Sequence, residues 1–462
     1  MVFASLEFLT LFLPLFLALY ALVGPTRRNA LLLLCSWVFY GWWSPTFLLL
    51  FVGLAAMGWI GGLVIDRLEQ GRGLALAFFI GINLALLCWF KYANILVESL
   101  PLAAGFSAQW QQVLLPIGLS FIVLQSISYL VDVYRRSIPA DPSFTSFGAY
   151  QSMFVHLIAG PIIRYQWVKQ ELLSRRFDWP QFAQGARRFM TGMSMKVLIA
   201  DTLAPVVDLA FSLQQPSLLD SWIGCLAYTL QLFFDFAGYS GMAIGLGLML
   251  GFRCPENFRQ PYLATSIQDF WRRWHLSLSS WIRDYLYIPF GGNRVGALRV
   301  YVNLLLTMAI AGLWHGGDSW NFLLWGSAHG LALCIARAWD QAGWPKPSPL
   351  LSRALTLLFV MLAWTIFRAH SFDGAMQMYA GQAGLNGIVI GEAMAVLLRP
   401  VHGLALSLGL ACVLAPALRA SFARQLPGRA MTLASQWPLP AFLFSYALIA
   451  SRGATPFLYF QF

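Results

Sequence analysis

Apolar runs recur along the chain at 6–23, 30–43, 47–65, 74–90 and 113–133, divided by short loops carrying Arg27, Arg28, Asp66, Arg72, Arg135 and Arg136. A helix needs ~20 mainly apolar residues to cross the hydrocarbon of a bilayer, so each run predicts a membrane helix or most of one. No stretch sustains the period-two alternation of a membrane barrel, which makes the expected fold all-α. A second apolar set follows at 222–252, 322–339, 354–367, 393–415 with Pro400 inside it, and 439–449. Together the two sets predict about 10 to 12 crossings. They belong to a single multi-pass domain over 1–462, without recognisable repeats.

Between 135 and 196 lies the first long polar interval, in which Arg164, Lys169, Arg175, Arg176, Arg187 and Arg188 surround the apolar piece FVHLIAGPII. That piece is too short to span and ends on Gly160-Pro161, so it predicts a re-entrant or interfacial turn, with His156 lining a cavity. In the run 222–252, Gly241 and Gly245, and again Gly247 and Gly251, stand at GxxxG spacing and predict close helix contact. Asp235 lies inside the same run, where an ionisable group is costly unless paired or wetted. It reads either as a carboxylate pairing an arginine between helices or as part of a cavity wall that meets substrate.

Composition agrees with the pattern. Hydrophobic residues make up 59% of 462 and charged ones 11%, far more apolar surface than a soluble core can hide. The net charge of +11 sits in the loops between apolar runs, as the positive-inside rule requires, so it reads as topology and not as nucleic-acid binding. With an outside N-terminus the arginine-rich loops of the first set fall in the cytoplasm. The opening MVFASLEFLTLFLPLFLALYALV has no basic start and no small-residue cleavage site, and reads as a retained first helix. The six cysteines are scattered without CxxC spacing, giving no support for disulfides, zinc or a cysteine nucleophile.

One stretch breaks the apolar pattern. Residues 266–329 hold three of the six histidines, crowded by tryptophan, arginine and glycine. Thr265 and Ser266 stand before Gln268 and Asp269 at capping-box spacing, which predicts a helix running on to Pro289. Its apolar face would collect Trp271, Trp274, His275, Leu278, Trp281 and Ile282, and its polar side Arg272, Arg273, Ser280 and Asp284. Such an arginine pair suits phosphate or pyrophosphate, with lipid head groups and a nearby carboxylate as the plainer partners. Gly291 and Gly292 lack the pattern of a phosphate-binding loop and read as a turn.

His315 ends an apolar helix and is followed by Gly316 and Gly317, which stop the helix and let a backbone or ligand approach the imidazole. A buried imidazole stays neutral, the form that takes a proton from an attacking hydroxyl or thiol, and the chemistry this suits is acyl transfer. His275 and His329 as metal partners of His315 lack an HExxH or a carboxylate at ligand spacing, so no metal is expected. No GxSxG elbow supports a serine hydrolase.

YGWW, KYAN, LLPIGLSF, HLIAGPIIR, QLFFDFAGYSGMAIGLGLMLGF, ENFRQPY, FWRRWHLSLSSWIRDYLYI, GGNR and GLWHG occur in this order. On these pieces the chain resembles the membrane-bound O-acyltransferases, most closely the bacterial branch that includes the membrane subunit of alginate O-acetylation. The likeness runs from the first helix nearly to the end. It implies a ring of tilted helices with re-entrant helices around a central polar cavity. It also implies an enzyme of the bacterial inner membrane that passes an acetyl group from a cytosolic thioester, acetyl-CoA or an acyl carrier protein, towards an exopolysaccharide acceptor. A periplasmic acetyltransferase would be its partner, and no tightly bound cofactor is implied. The position matching the family's catalytic histidine is His315, and its second recurrent histidine corresponds to His275. Asn257, Arg272 and Arg273 are the candidates for holding the donor, and Asp235 for the cavity wall. The short C-terminus resembles cellulose-acetylating members as much as alginate-type ones. Two other classes fit the residues: a transporter or flippase of an anionic substrate, and a scaffold that only recruits the periplasmic transferase.

Overall fold

The computed structural model describes residues 1–99, 110–157, 160–175, 177–422 and 437–458. Residues 100–109 of the loop expected at 91–112, residues 158 and 159 of FVHLIAGPII, Arg176 and the tail residues 459–462 lie outside the described residues. No strand occurs among the described residues; α-helices are joined by short turns of 3-10 and π geometry. The all-α expectation therefore holds, and the chain is a multi-pass membrane protein.

Among the described residues five helices are long and apolar enough to cross a membrane: Pro45–Arg67, Arg72–Ser99, Leu218–Met249, Ala297–His315 and Pro349–Arg368. Three further apolar helices are shorter, Phe8–Leu22, Leu119–Tyr134 and Pro400–Ala415. The larger count expected from apolar runs included these, along with helices such as Asn321–Gln341 that carry Arg337 and Asp340.

The chain divides into two compact units. The first comprises Met1–Met190, Tyr239–Glu256 and the described residues from Tyr446 on. Its core is aromatic: Phe3 stacks on Tyr239 at 4.7 Å, and Phe154 meets Phe12 and Phe16 edge-on at 5.3 and 5.1 Å. Tyr20 donates to the Leu250 carbonyl at 2.8 Å and accepts from Arg175 Nε at 2.9 Å, which places a buried cation over the Phe252 ring. The apolar run at 113–133 becomes helix only from Leu119. Gly118 before it has φ +84°, and a Cβ there would lie 2.5 Å from the Leu157 carbonyl oxygen, so the close approach requires glycine. The described residues of FVHLIAGPII form a short helix, Phe154–Leu157. The expected glycine contact is present: a Cβ on Gly245 would sit 2.6 Å from the Gly185 carbonyl oxygen of helix Trp179–Ser194.

The second unit comprises Thr191–Gly238 and the described residues from Asn257 to Ser445. Its tightest element pair is the hairpin of Ala297–His315 and Asn321–Gln341, joined by residues 316–320. Glycines set that spacing. A Cβ on Gly312 would lie 2.2 Å from the Phe322 carbonyl oxygen, and one on Gly326 would lie 2.3 Å from the Met308 carbonyl oxygen. Backbone meets backbone, with no room for a side chain.

Candidate active site

The hairpin puts His315 at the last residue of its helix, nearly buried at 5% exposure. Its ring meets Trp314 at 4.9 Å, Trp325 at 5.2 Å and Phe367 at 5.6 Å, all edge-on. Gly316 is extended (φ −116°, ψ 155°), so the helix ends there without a left-handed turn. A Cβ on Gly316 would fall 1.7 Å from the Phe322 ring, so the glycine is required by packing beside the imidazole.

His275 is organised differently. The continuous helix expected from Ser266 to Pro289 is interrupted: Ile267–Trp271 and Leu276–Ile282 are separate α-helices, and Arg283–Tyr287 is a π segment. The N-terminal cap is as expected, with Ser266 Oγ accepting from Asp269 N at 3.1 Å. The break comes at His275, whose φ of +45° is left-handed. Long-range bonds impose it. Leu276 N donates to the Asn257 carbonyl at 2.9 Å, and Arg259 N donates to the Arg273 carbonyl at 2.9 Å. Helical periodicity carries no trace of these partners.

Asn257 Oδ1 accepts from Ser277 N at 3.2 Å and from Ser277 Oγ at 2.9 Å, which fixes it as the oxygen. The Nδ1 of His275, 3.1 Å away, must then be the protonated nitrogen, leaving Nε2 with its lone pair. Burial pushes this imidazole down to about 3, so it is neutral at physiological pH. Asn257 therefore sets the tautomer of His275.

A pH prediction follows from this depressed value. Between about pH 6.5 and about 3 the unfolded chain takes up a proton at His275 that the folded protein does not. The stability it contributes is complete above about 6.5 and is lost as pH falls towards 3. His275→Asn, which tolerates the left-handed backbone, should melt with a shallower acid dependence than wild type. Parallel acid slopes in the two proteins would count against a neutral buried His275.

The two histidines are not ring neighbours. They are joined by one aromatic series: His315 to Trp325, Trp325 to Trp364 at 5.8 Å, Trp364 to Trp274 at 5.1 Å, and Trp274 to Phe258 at 5.1 Å. Phe258 and Phe236 then flank His275, at 6.5 and 4.6 Å. Among the described residues no three His, Cys, Asp or Glu side chains gather as a metal-binding group. His156, in the first unit, lies buried with Nδ1 3.0 Å from Gln125 Nε2.

Arg272 lines a cavity of about 510 Å³ together with Gln268, Tyr287, Asn293, Arg337 and Asp340. Its guanidinium has no hydrogen bond or ion pair among the described residues, and the carboxylate of Asp340 is taken by Lys346 at 3.1 Å. Arg337 Nη1 reaches Asn293 Oδ1 at 3.4 Å. Two guanidiniums thus share a polar cavity with little to neutralise them, a setting that suits an anion. Arg273 faces elsewhere, its Nε on Asp269 at 2.8 Å.

Asp235 is paired, and the partner is a lysine where the sequence suggested an arginine. Lys196 Nζ lies 3.3 Å from Asp235 Oδ1 and 2.5 Å from Asp201 Oδ1, with the lysine side chain 2% exposed. Lys196 sits in a π-helical segment, Met195–Ala200, a geometry that recurs at specialised positions in helices. A lysine in a polar interval of the sequence gave no sign of being buried, and Arg337 lay unnoticed in an apolar run.

A family model, the membrane-bound O-acyltransferase family, matches residues 83–371, which include every site residue named above. The chain belongs to this family and is an O-acyltransferase. It is 48% identical to the probable alginate O-acetylase AlgI of Pseudomonas aeruginosa over 82% of this chain and 74% of that protein. It is 34% identical to the peptidoglycan O-acetyltransferase of Helicobacter pylori over 82% and 79%. The likeness extends to the teichoic acid D-alanyltransferase of Bacillus subtilis, at 24% over 55% and 69%.

Proposed function

We propose that the protein moves an acetyl group from a phosphate-bearing thioester, acetyl-CoA or an acyl carrier protein, to a hydroxyl on the way to exopolysaccharide. The chemistry centres on His315. Its neutral imidazole takes the proton of the acceptor hydroxyl as the oxygen attacks the thioester carbonyl. The C–S bond then breaks, the proton passes to the leaving thiolate, and the products are ester and thiol.

The observation that carries the reading is one face of helix Asn321–Gln341. Trp325, His329, Leu333 and Arg337 stand at i+4 spacing, so a single stripe joins the imidazole of His315 to the two-arginine cavity. At 1.5 Å per residue the stripe from Trp325 to Arg337 runs about 18 Å, a length suited to a donor whose phosphate is held far from its thioester. Arg272 and Arg337 hold the phosphate, and His275, fixed by Asn257, supports the site from the far end of the aromatic series. Alginate is the acceptor polymer favoured by the strongest likeness above, with cellulose as the other candidate. A periplasmic transferase completes the esterification, and the site is the bacterial inner membrane.

The test follows labelled acetyl thioester in membranes containing the full chain and its native partners. Wild type should consume it and label polysaccharide. Arg272→Ala with Arg337→Ala should raise KM for the phosphate-bearing donor by about 10- to 100-fold with kcat little changed. A short thioester without phosphate should be turned over equally by both proteins. No consumption of any thioester by wild type would sink the proposal.

A further inference from the structure

His329 lies between the arginine cavity and His315 and is fully buried. Five aromatic rings enclose it: Trp325 at 4.9 Å, Trp271 and Phe359 at 5.1 Å, Phe270 at 6.2 Å and Trp364 at 6.4 Å. Neither ring nitrogen has a hydrogen-bond partner among the described residues, and the indole nitrogens of Trp271 and Trp325 have none either. With Trp364 Nε1, which has none either, five buried polar nitrogens thus lie in one otherwise apolar cage. Native proteins rarely leave such groups unpaired, and those that persist are associated with catalysis, strain or a further partner.

The position of the cage indicates the partner. Trp271 is the chain neighbour of Arg272, and Leu333, one turn beyond His329, also lines the arginine cavity. On the other side Trp325 is shared between His329 and His315. A group held by the arginines and reacting at His315 would run along the same face of helix Asn321–Gln341 on which the cage sits. Its rings offer apolar surface to methylenes, and its indole N–H groups and imidazole offer donors and an acceptor at mid-length.

We infer that His329 is a positioning residue that, with Trp271 and Trp325, hydrogen-bonds the secondary amides of a pantetheine-type donor arm and so sets the thioester against His315. The inference rests on the proposed acyl transfer and adds a requirement on the donor, which must carry amides between phosphate and sulfur. The indoles donate to amide carbonyls, and the imidazole accepts an amide N–H. An arm of equal length made only of methylenes would leave these imidazole and indole nitrogens unpaired and bind less well.

The test measures binding to the full chain in nanodiscs, using unreactive thioether probes. One is the S-ethyl thioether of 4′-phosphopantetheine; the other is a phosphorylated alkyl thioether of the same length without amides. Wild type should prefer the amide probe. His329→Phe, which keeps an aromatic ring in the cage, should weaken the amide probe about tenfold and leave the alkyl probe unchanged. His329→Asn should restore part of the loss, and it carries the test if the phenylalanine variant does not fold. Equal weakening of both probes means a packing role and overturns the inference, as does wild-type affinity in both variants. Thioester turnover by a wild type that does not prefer the amide probe overturns this inference alone. A wild type that binds neither probe and consumes no thioester removes the proposed function and this inference with it.

Discussion

Replacing His315 with alanine should lower acyl transfer by about 10²- to 10⁴-fold, the range typical of a lost general base. The ring lies at a helix end against Trp314, Trp325 and Phe367. His275 cannot substitute, because its protonated Nδ1 faces Asn257 and its ring packs with Phe236 and Phe258. The loss should fall mainly on kcat, since the proposed donor phosphate is held elsewhere, by Arg337 further along the hairpin and by Arg272. The comparison needs the variant at wild-type abundance in the membrane and with a wild-type melt. His315→Gln serves as a second probe, because it fills the same space without a base. Undiminished turnover in either well-folded variant would assign the proton transfer to another group.

The largest stability effect should come from Lys196→Met. The lysine is buried between Asp201 and Asp235, and its removal takes a buried cation away from both carboxylates. Breaking a buried pair from one side typically costs about 3–5 kcal/mol. Thermal unfolding in detergent should shift down by several degrees or more, and acyl transfer should fall through loss of folded protein. Lys196→Met combined with Asp235→Asn should recover part of the loss, because one buried negative charge is then gone. A single variant that melts with wild type would mean the two carboxylates are satisfied without the lysine.

Local signals were legible in the sequence, and distant partners were not. The apolar runs gave the helices because each is a local property of about 20 residues. The Ser266 cap was legible for the same reason: donor and acceptor lie three residues apart. The helix break at His275 was hidden because its cause is Asn257, 18 residues away. Lys196 and Asp235 are likewise joined only by tertiary packing. The glycine of the WHG motif was visible, but its reason was not: the atom it makes room for belongs to Phe322, across the hairpin turn.

The glycine-locked hairpin has a mechanical consequence. Its two backbones touch at Gly312 and Gly326, and residues 316–320 leave almost no slack between the helices. Neither helix can slide or roll without the other, so His315, Trp325, His329 and Arg337 move as one solid body.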